Sequence, residues 1–428
     1  MYRGPGWSEA RGGPRPILDF EFFRGSLDSR ITFTRSTSGT YFNSAGVLVT
    51  AAVNIPRFDH KPSDSNATLG LLLEEARTNI CLQSEALGTT WTNPGANTTI
   101  TNNAGAAPDG ATTAEDVLHL DSAETIQQAI TATDNTIYAI SAFVKQGLTG
   151  SHDFVKMAWI DNATGLTGFE AWFDLSTGSV GTAQAKGTGT YVTSSAKMES
   201  VGSGWYRISA AGQLPLGTTG ARFEIINTTA DAVDTAEATN SVLWWGLQAE
   251  IGPFATSYIP TTTLAVARGA DLATLLLANT GFVQATASYF VEMDFASSAS
   301  QLTGQWALSV NDDSANNAHD LALDDGTESV PRFFVFSGGS AIGNVSITGV
   351  AEKTLFKVAW AVKENDLSAA INGGTITQDS TVTPMPTGMT KLKIGRRGND
   401  SQNFTGHIRK LRIYNARLPD GVLIELTR

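Results

Sequence analysis

Two stretches in the last third of the chain alternate regularly between apolar and polar side chains. In residues 289–295 (YFVEMDF) and 356–363 (FKVAWAVK), every second side chain is apolar. A period of two is that of a β-strand with one buried face. Residues 367–371 then lead into Asn372-Gly373, a dipeptide typical of a tight hairpin turn. We therefore predict an antiparallel β-sandwich over residues 285–428.

The middle of the chain predicts a second sandwich. In residues 137–144 (IYAISAFV), apolar side chains occupy both faces, which indicates a strand buried on two sides. Strand-like segments and turns such as Ser176-Thr177-Gly178 follow each other at the short spacing of a jelly roll. Residues 242–261 join an aromatic strand to an exit that contains Pro260. We predict a jelly-roll domain over residues 88–261.

The first 87 residues have a different character. Glycines and prolines crowd residues 1–16 and oppose both helix and central strand, so this segment is predicted to be ordered only against a partner, within an arm that spans residues 1–30. Residues 31–87 are predicted to form short strands around a turn. Residues 262–284 are predicted to be a packed linker whose type of element stays open. The predicted fold class is therefore all-β, with an N-terminal anchoring segment followed by two β-sandwich (jelly-roll) domains.

The amino-acid composition agrees with an all-β fold and argues against some classes of binding partner. Only 16% of the residues are charged and 42 are glycine, which is typical of short strands joined by polar turns. The net charge of −12 argues against nucleic acid as a general partner. The chain has no uninterrupted apolar run of about 18 residues and no secretory signal, so we expect no membrane insertion and no export. The single cysteine, Cys81, fits folding in a reducing cytoplasm.

The C-terminal segment carries a run of basic residues. They could form a patch, but several alternate with apolar residues, which favours the solvated faces of strands. They are Lys391, Lys393, Arg396, Arg397, Arg409, Lys410, Arg412 and Arg417.

No catalytic motif is present. The five histidines are scattered without the spacing of metal ligands, and there is no G-x-S-x-G elbow, H-E-x-x-H or P-loop sequence. We therefore predict that the chain is not an enzyme and assign no catalytic residue.

A saccharide site would need exposed aromatic rings beside polar side chains. The candidates are Trp244, Trp245 and Trp205, with Arg207 and Gln248 close in sequence. Neighbouring Trp244 and Trp245 must point to opposite faces of a strand, so one of them could be exposed. The alternative is that these tryptophans are core residues, as tryptophans on apolar strands usually are.

An acidic region could supply oxygen ligands to Ca²⁺. It contains Asp312, Asp313, Asp324 and Asp325. Its spacing is not that of an EF-hand, and solvated turn carboxylates are the alternative. We predict no other cofactor.

Most of the chain resembles known families. Three phrases within residues 31–87 (TFTRSTSGTYFNSAGVL, NIPRFDH and GLLLEEARTNICLQSEAL) resemble the N-terminal signature of many bacteriophage tail and tail-fibre proteins. The middle domain resembles a carbohydrate-binding jelly-roll module through YAISAFVK, FDLSTGSV, GWYRISAA and WWGLQAEIGPFATSYIPT. The last domain resembles concanavalin-like, laminin-G-like sandwiches through FKVAWAV, LSAAINGG, LKIGRRG and FTGHIRKLRIYNARLPDGVLIELT.

The resemblance implies a structural protein of the virion tail or tail fibre, made in the bacterial host cytoplasm. Its modules would bind host cell-surface glycan, and its N-terminal segment would bind other virion proteins. Because tail fibres are often trimeric, the resemblance also implies a homotrimer. One alternative is a purely architectural decoration protein of the tail or capsid. Another, a polysaccharide depolymerase, is disfavoured because no long repetitive β-helix is visible.

Overall fold

The computed structural model describes residues 15–151, 154–296, 304–323 and 330–428. The prediction of an all-β chain with two sandwiches is confirmed. Within residues 15–80 there are seven strands: β1 (Leu18–Glu21), β2 (Ile31–Thr34), β3 (Gly39–Phe42), β4 (Leu48–Ala51), β5 (Arg57–Lys61), β6 (Ala67–Leu73) and β7 (Arg77–Asn79).

The middle sandwich contains the next twelve strands. They are β8 (Thr98–Ala106), β9 (Thr112–His119), β10 (Ile126–Ile130), β11 (Ile137–Gln146), β12 (Phe154–Asp161), β13 (Gly168–Asp174), β14 (Ser179–Lys186), β15 (Thr190–Tyr191), β16 (Lys197–Ser200), β17 (Tyr206–Gln213), β18 (Ala221–Thr228) and β19 (Val242–Ile251). A five-stranded sheet (β10-β18-β12-β13-β14) packs on a seven-stranded sheet (β15-β17-β11-β19-β9-β8, with β16 also on β17). In the core between them, the Tyr138 and Trp159 rings stack at 5.0 Å.

The remaining elements are β20 (Val266–Arg268), β21 (Leu272–Leu276), β22 (Thr286–Met293), β23 (Gln305–Asn311), β24 (Ala318–Leu323), β25 (Pro331–Ser337), β26 (Ser340–Ser346), β27 (Phe356–Lys363), β28 (Asp366–Ile371), β29 (Thr377–Asp379), β30 (Lys391–Ile394), β31 (Gly406–Tyr414) and α1 (Asp420–Thr427). One sheet of the C-terminal sandwich has the order β29-β28-β27-β22-β31-β6-β5, with β1 also on β31. The other has the order β2-β21-β30-β23-β24-β25-β26. Within the described ranges, no helix is long and apolar enough to cross a membrane.

The N-terminal segment does not form a unit of its own. Strands β1, β5 and β6 extend one sheet of the C-terminal sandwich and β2 extends the other, while β7 pairs with β20. Residues 1–14 of the predicted arm lie outside the described part of the chain. The described part of the arm contains β1, in which Leu18 and Phe20 are buried in the C-terminal core and alternate with Asp19 and Glu21. The predicted linker also contains a strand, β21, which pairs with β2 on one side and with β30 on the other.

A fully buried ion network joins these segments. Arg35 Nη1 lies 3.0 Å from Asp271 Oδ1, and Arg57 Nη2 lies 2.7 Å from Glu74 Oε2. Arg57 also pairs with the second oxygen of Asp271, and Arg268 Nη1 lies 3.5 Å from Glu74. None of the five side chains is appreciably exposed. We call these residues, Arg35, Arg57, Glu74, Arg268 and Asp271, the junction network.

The exit of the middle sandwich is held by the same network. Ser257 donates its N–H and its hydroxyl to the two oxygens of Glu74, at 2.7 and 2.6 Å. Burial alone would raise the pKa of Glu74, but the charges of Arg268 and Arg57 and the Ser257 hydrogen bonds outweigh it and hold that pKa well below its usual range. The carboxylate is therefore ionised and ties both sandwiches together.

A second group of charges, largely but not fully buried, connects β5 to the rest of the C-terminal sandwich. His407 Nδ1 lies 2.9 Å from Asp294 Oδ1, and its Nε2 lies 3.1 Å from Asp59 Oδ2. Two carboxylate partners require both ring nitrogens to donate, so the imidazole is protonated. Burial would lower the pKa of His407, but Asp294 and Asp59 outweigh it and raise the pKa to about 10.

We expect Asp271→Ala to lower the free energy of unfolding by about 3–5 kcal/mol, because it leaves two arginines buried without their shared carboxylate. Denaturant unfolding followed by tryptophan fluorescence measures this change. The matched control is Asp19→Ala, which removes the partly exposed partner of Arg412 and should cost no more than about 1 kcal/mol. Equal losses in the two variants would contradict the role of the junction network.

The His407 imidazolium should make stability depend on pH. Because its folded-state pKa is raised from 6.5 to about 10, its contribution is complete below about pH 6.5 and is lost as the pH rises through about 10. His407→Gln should therefore destabilise the protein most at pH 6, and the difference from wild type should shrink toward pH 10. Parallel denaturant titrations at pH 6, 8 and 10 measure it. A difference that stays constant over this range would rule out the imidazolium.

Candidate functional site

The tryptophans predicted to bind saccharide are core residues. Trp244, Trp245 and Trp205 are at most 2% exposed. Trp244 and Trp245 do point to opposite faces of β19, as expected. Trp244 lies between the two sheets and donates to Asn227 Oδ1 at 3.0 Å, whereas Trp245 lies on the outer face and packs 4.8 Å from the Tyr258 ring.

The outer face of β19 is covered by the N-terminal segment. Leu48 of β4 and Phe42 of β3 pack in the same apolar cluster as Trp245 and Trp205. A sequence pattern cannot reveal this cover, because the covering hairpin lies almost 200 residues before Trp245. Of the two alternatives, the core position therefore holds for both neighbouring tryptophans.

Arg207 and Gln248 also have architectural positions. The half-buried Arg207 guanidinium lies 5.4 Å over the Phe143 ring and donates to the Thr256 carbonyl. Gln248 is fully buried and accepts from the Ile259 N–H at 2.7 Å. Both side chains hold the exit segment after β19, so the five predicted saccharide contacts do not form a ligand surface.

The predicted calcium ligands are placed only in part. Asp312 accepts from Ser314 and Asn317 within its own turn. The oxygens of Asp313 lie 2.7 Å from Lys391 Nζ and 2.9 Å from Lys393 Nζ, and these hydrogen bonds lower the pKa of Asp313 to about 2. Asp324 and Asp325 lie outside the described residues. Within the described ranges no group of three or more His, Cys, Asp or Glu side chains could hold a metal, and calcium binding stays a prediction.

The basic run near the C-terminus divides between two surfaces. Arg409, Lys410 and Arg412 lie on β31 and pair with acidic residues of β22 and β1, and Arg417 pairs with Asp366 and Asp420. The other four basic residues lie on β30 and the loop that follows it. This loop folds over the outer face of the seven-stranded sheet of the C-terminal sandwich, where Arg396 Nη2 donates to Thr274 Oγ1 at 2.7 Å.

That outer face carries aromatic rings. On β25, Phe333 and Val335 point into the core, so Arg332, Phe334 and Phe336 point outward and are half-buried. The Phe334 ring lies 5.5 Å from that of Phe336. It also lies 6.5 Å from the ring of Trp306 on β23, at an angle of 12°.

Guanidinium groups lie on these rings. The Arg397 guanidinium carbon is 4.7 Å from the centre of the Trp306 ring and 5.5 Å from that of Phe336. The Arg332 guanidinium lies 4.8 Å over Phe334. We call the surface formed by Trp306, Arg332, Phe334, Phe336 and Arg397 the aromatic–arginine face. On the opposite sheet of this sandwich, the outer face is covered by α1 through Val422 and Leu423.

A buried carboxylate lies beneath the face. Asp320 on β24 is the cross-strand neighbour of Phe334, and its Oδ2 accepts from Trp306 Nε1 at 3.0 Å. Its Oδ1 has no hydrogen-bond partner among the described residues. Burial raises the pKa of Asp320 to about 6, against the opposing effects of Ser309, Trp306 and Arg397. A buried carboxyl group with a raised pKa lowers the stability of the fold when it is ionised. Such groups are more typical of functional sites than of structural cores.

The sequence contained a weak signal for this face. In residues 332–336 (RFFVF), aromatic side chains fall on both faces of one strand. The same pattern in residues 137–144 belongs to a strand that is covered on both sides, so only the tertiary structure separates a binding surface from a core.

A polar groove of about 360 Å³ lies elsewhere on the same sandwich, beside the turn between β27 and β28. Lysine, acidic and amide side chains line it, together with Ser380, and none of the lining residues is aromatic. It therefore lacks the apolar surface on which a sugar ring packs.

No family model matches this chain, and no curated protein matches it. Among solved structures, it is similar to the CBM40 domain of the Ruminococcus gnavus IT-sialidase bound to α2,3-sialyllactose, with 16% identity over 34% of this chain and 84% of that one and a TM-score of 0.30. NanB sialidase from Streptococcus pneumoniae gives 12% identity over 35% and 26% of the two chains and a TM-score of 0.30.

The receptor-binding domain of botulinum neurotoxin mosaic serotype C/D gives 14% identity over 36% of this chain and 40% of that one, with a TM-score of 0.29. Likenesses at these TM-scores identify neither a family nor a ligand.

Replacing the buried carboxylate should stabilise the protein. Because the folded-state pKa of Asp320 is raised from 3.8 to about 6, its cost to stability begins above pH 4 and is complete above about pH 6. Asp320→Asn keeps an acceptor for Trp306 and should raise the free energy of unfolding at pH 7.5 by up to about 3 kcal/mol. The gain should vanish toward pH 4, as measured by denaturant unfolding at both pH values.

Asp312→Asn is the contrasting variant. Burial would raise the pKa of Asp312, but hydrogen bonds from Ser314 and Asn317 lower it, so this variant should lose stability at pH 7.5. If Asp320→Asn were also destabilised at pH 7.5, Asp320 would be an ordinary structural acceptor.

Proposed function

We propose that this chain is an adhesion subunit of a bacteriophage tail or tail fibre and that its aromatic–arginine face binds host cell-surface saccharide. The observation that carries the saccharide part is the set of half-buried aromatic rings and guanidinium planes on an outer sheet face. Aromatic faces pack against the C–H side of a sugar ring, and arginines donate to its hydroxyl groups.

Two other outer faces support this choice by contrast. On the middle sandwich, the face of Trp245 is filled by the β3–β4 hairpin. On the C-terminal sandwich, the face of Phe290 is filled by α1. Aromatic rings at those positions serve packing. The loop after β30 covers part of the third face through Arg397, but Phe334 and Phe336 stay half-buried, and their remaining exposed surface is available to a ligand.

The virion part of the proposal rests on the resemblance of residues 31–87 to phage tail signatures. Its quoted phrases contain Arg35, Arg57, Asp59 and Glu74, which belong to the junction network and the His407 group. In this chain, the signature residues therefore fix one sandwich on the other. Contact with other virion proteins and homotrimeric assembly belong to the same proposal, which includes no catalytic step.

One observation favours the architectural alternative. Arg397 covers the Trp306 ring, which is only 8% exposed. If Arg397 stays on the Trp306 ring at all times, the contact only stabilises the surface of a decoration protein, and the face binds no glycan. Binding experiments separate the two functions.

We expect the full chain to bind one or more members of a microarray of bacterial surface polysaccharides without releasing reducing ends. The double variant Phe334→Ala/Phe336→Ala should bind at least about tenfold more weakly, because two stacking contacts are lost. The matched control is Phe23→Ala, which removes a half-buried ring beneath Arg409 on the opposite side of the sandwich and should bind as wild type. Absence of saturable binding by wild type would favour the architectural function, and release of reducing ends would favour a depolymerase.

A further inference from the structure

We propose that the saccharide bound at the aromatic–arginine face is anionic and that its carboxylate pairs with Arg397. This inference rests on the proposed saccharide binding and adds the chemical class of the ligand.

The charge of this region differs in sign from that of the chain. The whole chain has a net charge of −12. On or beside the aromatic–arginine face, the described residues include five cationic and four anionic side chains, which gives a local net charge of +1. They are Arg332, Lys391, Lys393, Arg396 and Arg397, with Asp312, Asp313, Asp320 and Asp400. Such a region attracts an anionic ligand.

Most cations beside the face are already neutralised by contact. Lys391 and Lys393 pair with Asp313, and Arg396 Nη1 lies 3.1 Å from Asp400 Oδ1. Arg397 differs from them. No described carboxylate lies in salt-bridge contact with it, and its Nη1 donates only to the neutral Gln402 Oε1, at 2.9 Å.

The Arg397 guanidinium is also held in a fixed plane. Trp306 and Phe336 contact it, and the hydrogen bond to Gln402 fixes one end. Trp306 is itself held from below by Asp320. A rigid guanidinium presents paired N–H groups that match the two oxygens of a carboxylate, and less side-chain entropy is lost on binding. The adjacent Phe334 ring offers the apolar contact for the sugar ring that carries this carboxylate.

The test uses polysaccharides in matched pairs. Polygalacturonate, polymannuronate and α2,8-linked polysialic acid are each compared with their carboxyl-reduced forms, in which a hydroxymethyl group replaces the carboxylate on the same sugar. We expect the full chain to bind at least one acidic member tenfold or more tightly than its reduced form. Its affinity for that member should fall several-fold between 50 and 300 mM salt, because an ion pair is screened.

Single substitutions test whether Arg397 causes the preference for the acidic saccharide. Arg397→Gln should lower affinity for the acidic member more than affinity for the reduced form, so that the two forms bind about equally. Arg397→Lys should retain part of the preference, since it keeps the charge and loses the planar fork. Arg409→Gln is the matched control, because Arg409 also lies over a phenylalanine ring, Phe23, but on β31. An unchanged thermal unfolding midpoint of Arg397→Gln checks that the variant is folded.

Each result has a defined meaning. Equal binding of acidic and reduced forms, lost in Phe334→Ala/Phe336→Ala, would overturn the anionic ligand and leave saccharide binding intact. Binding to no acidic or neutral saccharide would overturn the proposed function as well. Tighter binding of a single-stranded oligonucleotide than of every saccharide would assign the face to nucleic acid and overturn both.

Discussion

Burial of five charged side chains in the junction network is the constraint on which the rest of the structure depends. Each ion loses its hydration, and that cost is offset only when all partners are in place, because a lone buried charge is strongly unfavourable. The partners come from β5, β20, the segments after β2 and β6, and the segment before β21, and Ser257 adds the exit of the middle sandwich. These segments must therefore be placed together, and a swapped or slipped arrangement would leave an arginine unpaired.

The junction network is connected to the aromatic–arginine face through one edge of the seven-stranded sheet of the C-terminal sandwich. Arg35 directly follows β2 and Asp271 directly precedes β21, and these strands pair along the edge of the seven-stranded sheet. Strand β21 carries Thr274, which accepts from Arg396. The loop after β30 is thereby held over the sheet, and its next residue, Arg397, lies on the Trp306 ring. A continuous series of contacts along one sheet edge therefore connects the face with the junction network.

Local patterns in the sequence predicted the sandwiches, because strand periodicity is set by neighbours two residues apart. They could not predict which strands complete which sandwich. The Leu18 strand pairs with Ile413, and Arg35 pairs with Asp271, so these contacts span most of the chain. The same limit explains the failure at Trp245, whose cover comes from Leu48. It also explains why Phe334 was missed: aromatic residues on both faces of a strand predict burial unless the layer above is known to be absent.

Buried charge alone does not mark a functional surface, as the five-stranded sheet of the middle sandwich demonstrates. On its outer face, Lys156 is almost fully buried beside Trp172, a combination that resembles Arg397 on Trp306. Yet Lys156 Nζ lies 3.2 Å from Glu170 and also pairs with Asp234, and Lys186 approaches the same two carboxylates. Every charge there is compensated within the protein, as architecture requires. At the aromatic–arginine face, no described carboxylate lies in salt-bridge contact with Arg397, and this missing partner is what an anionic ligand would supply.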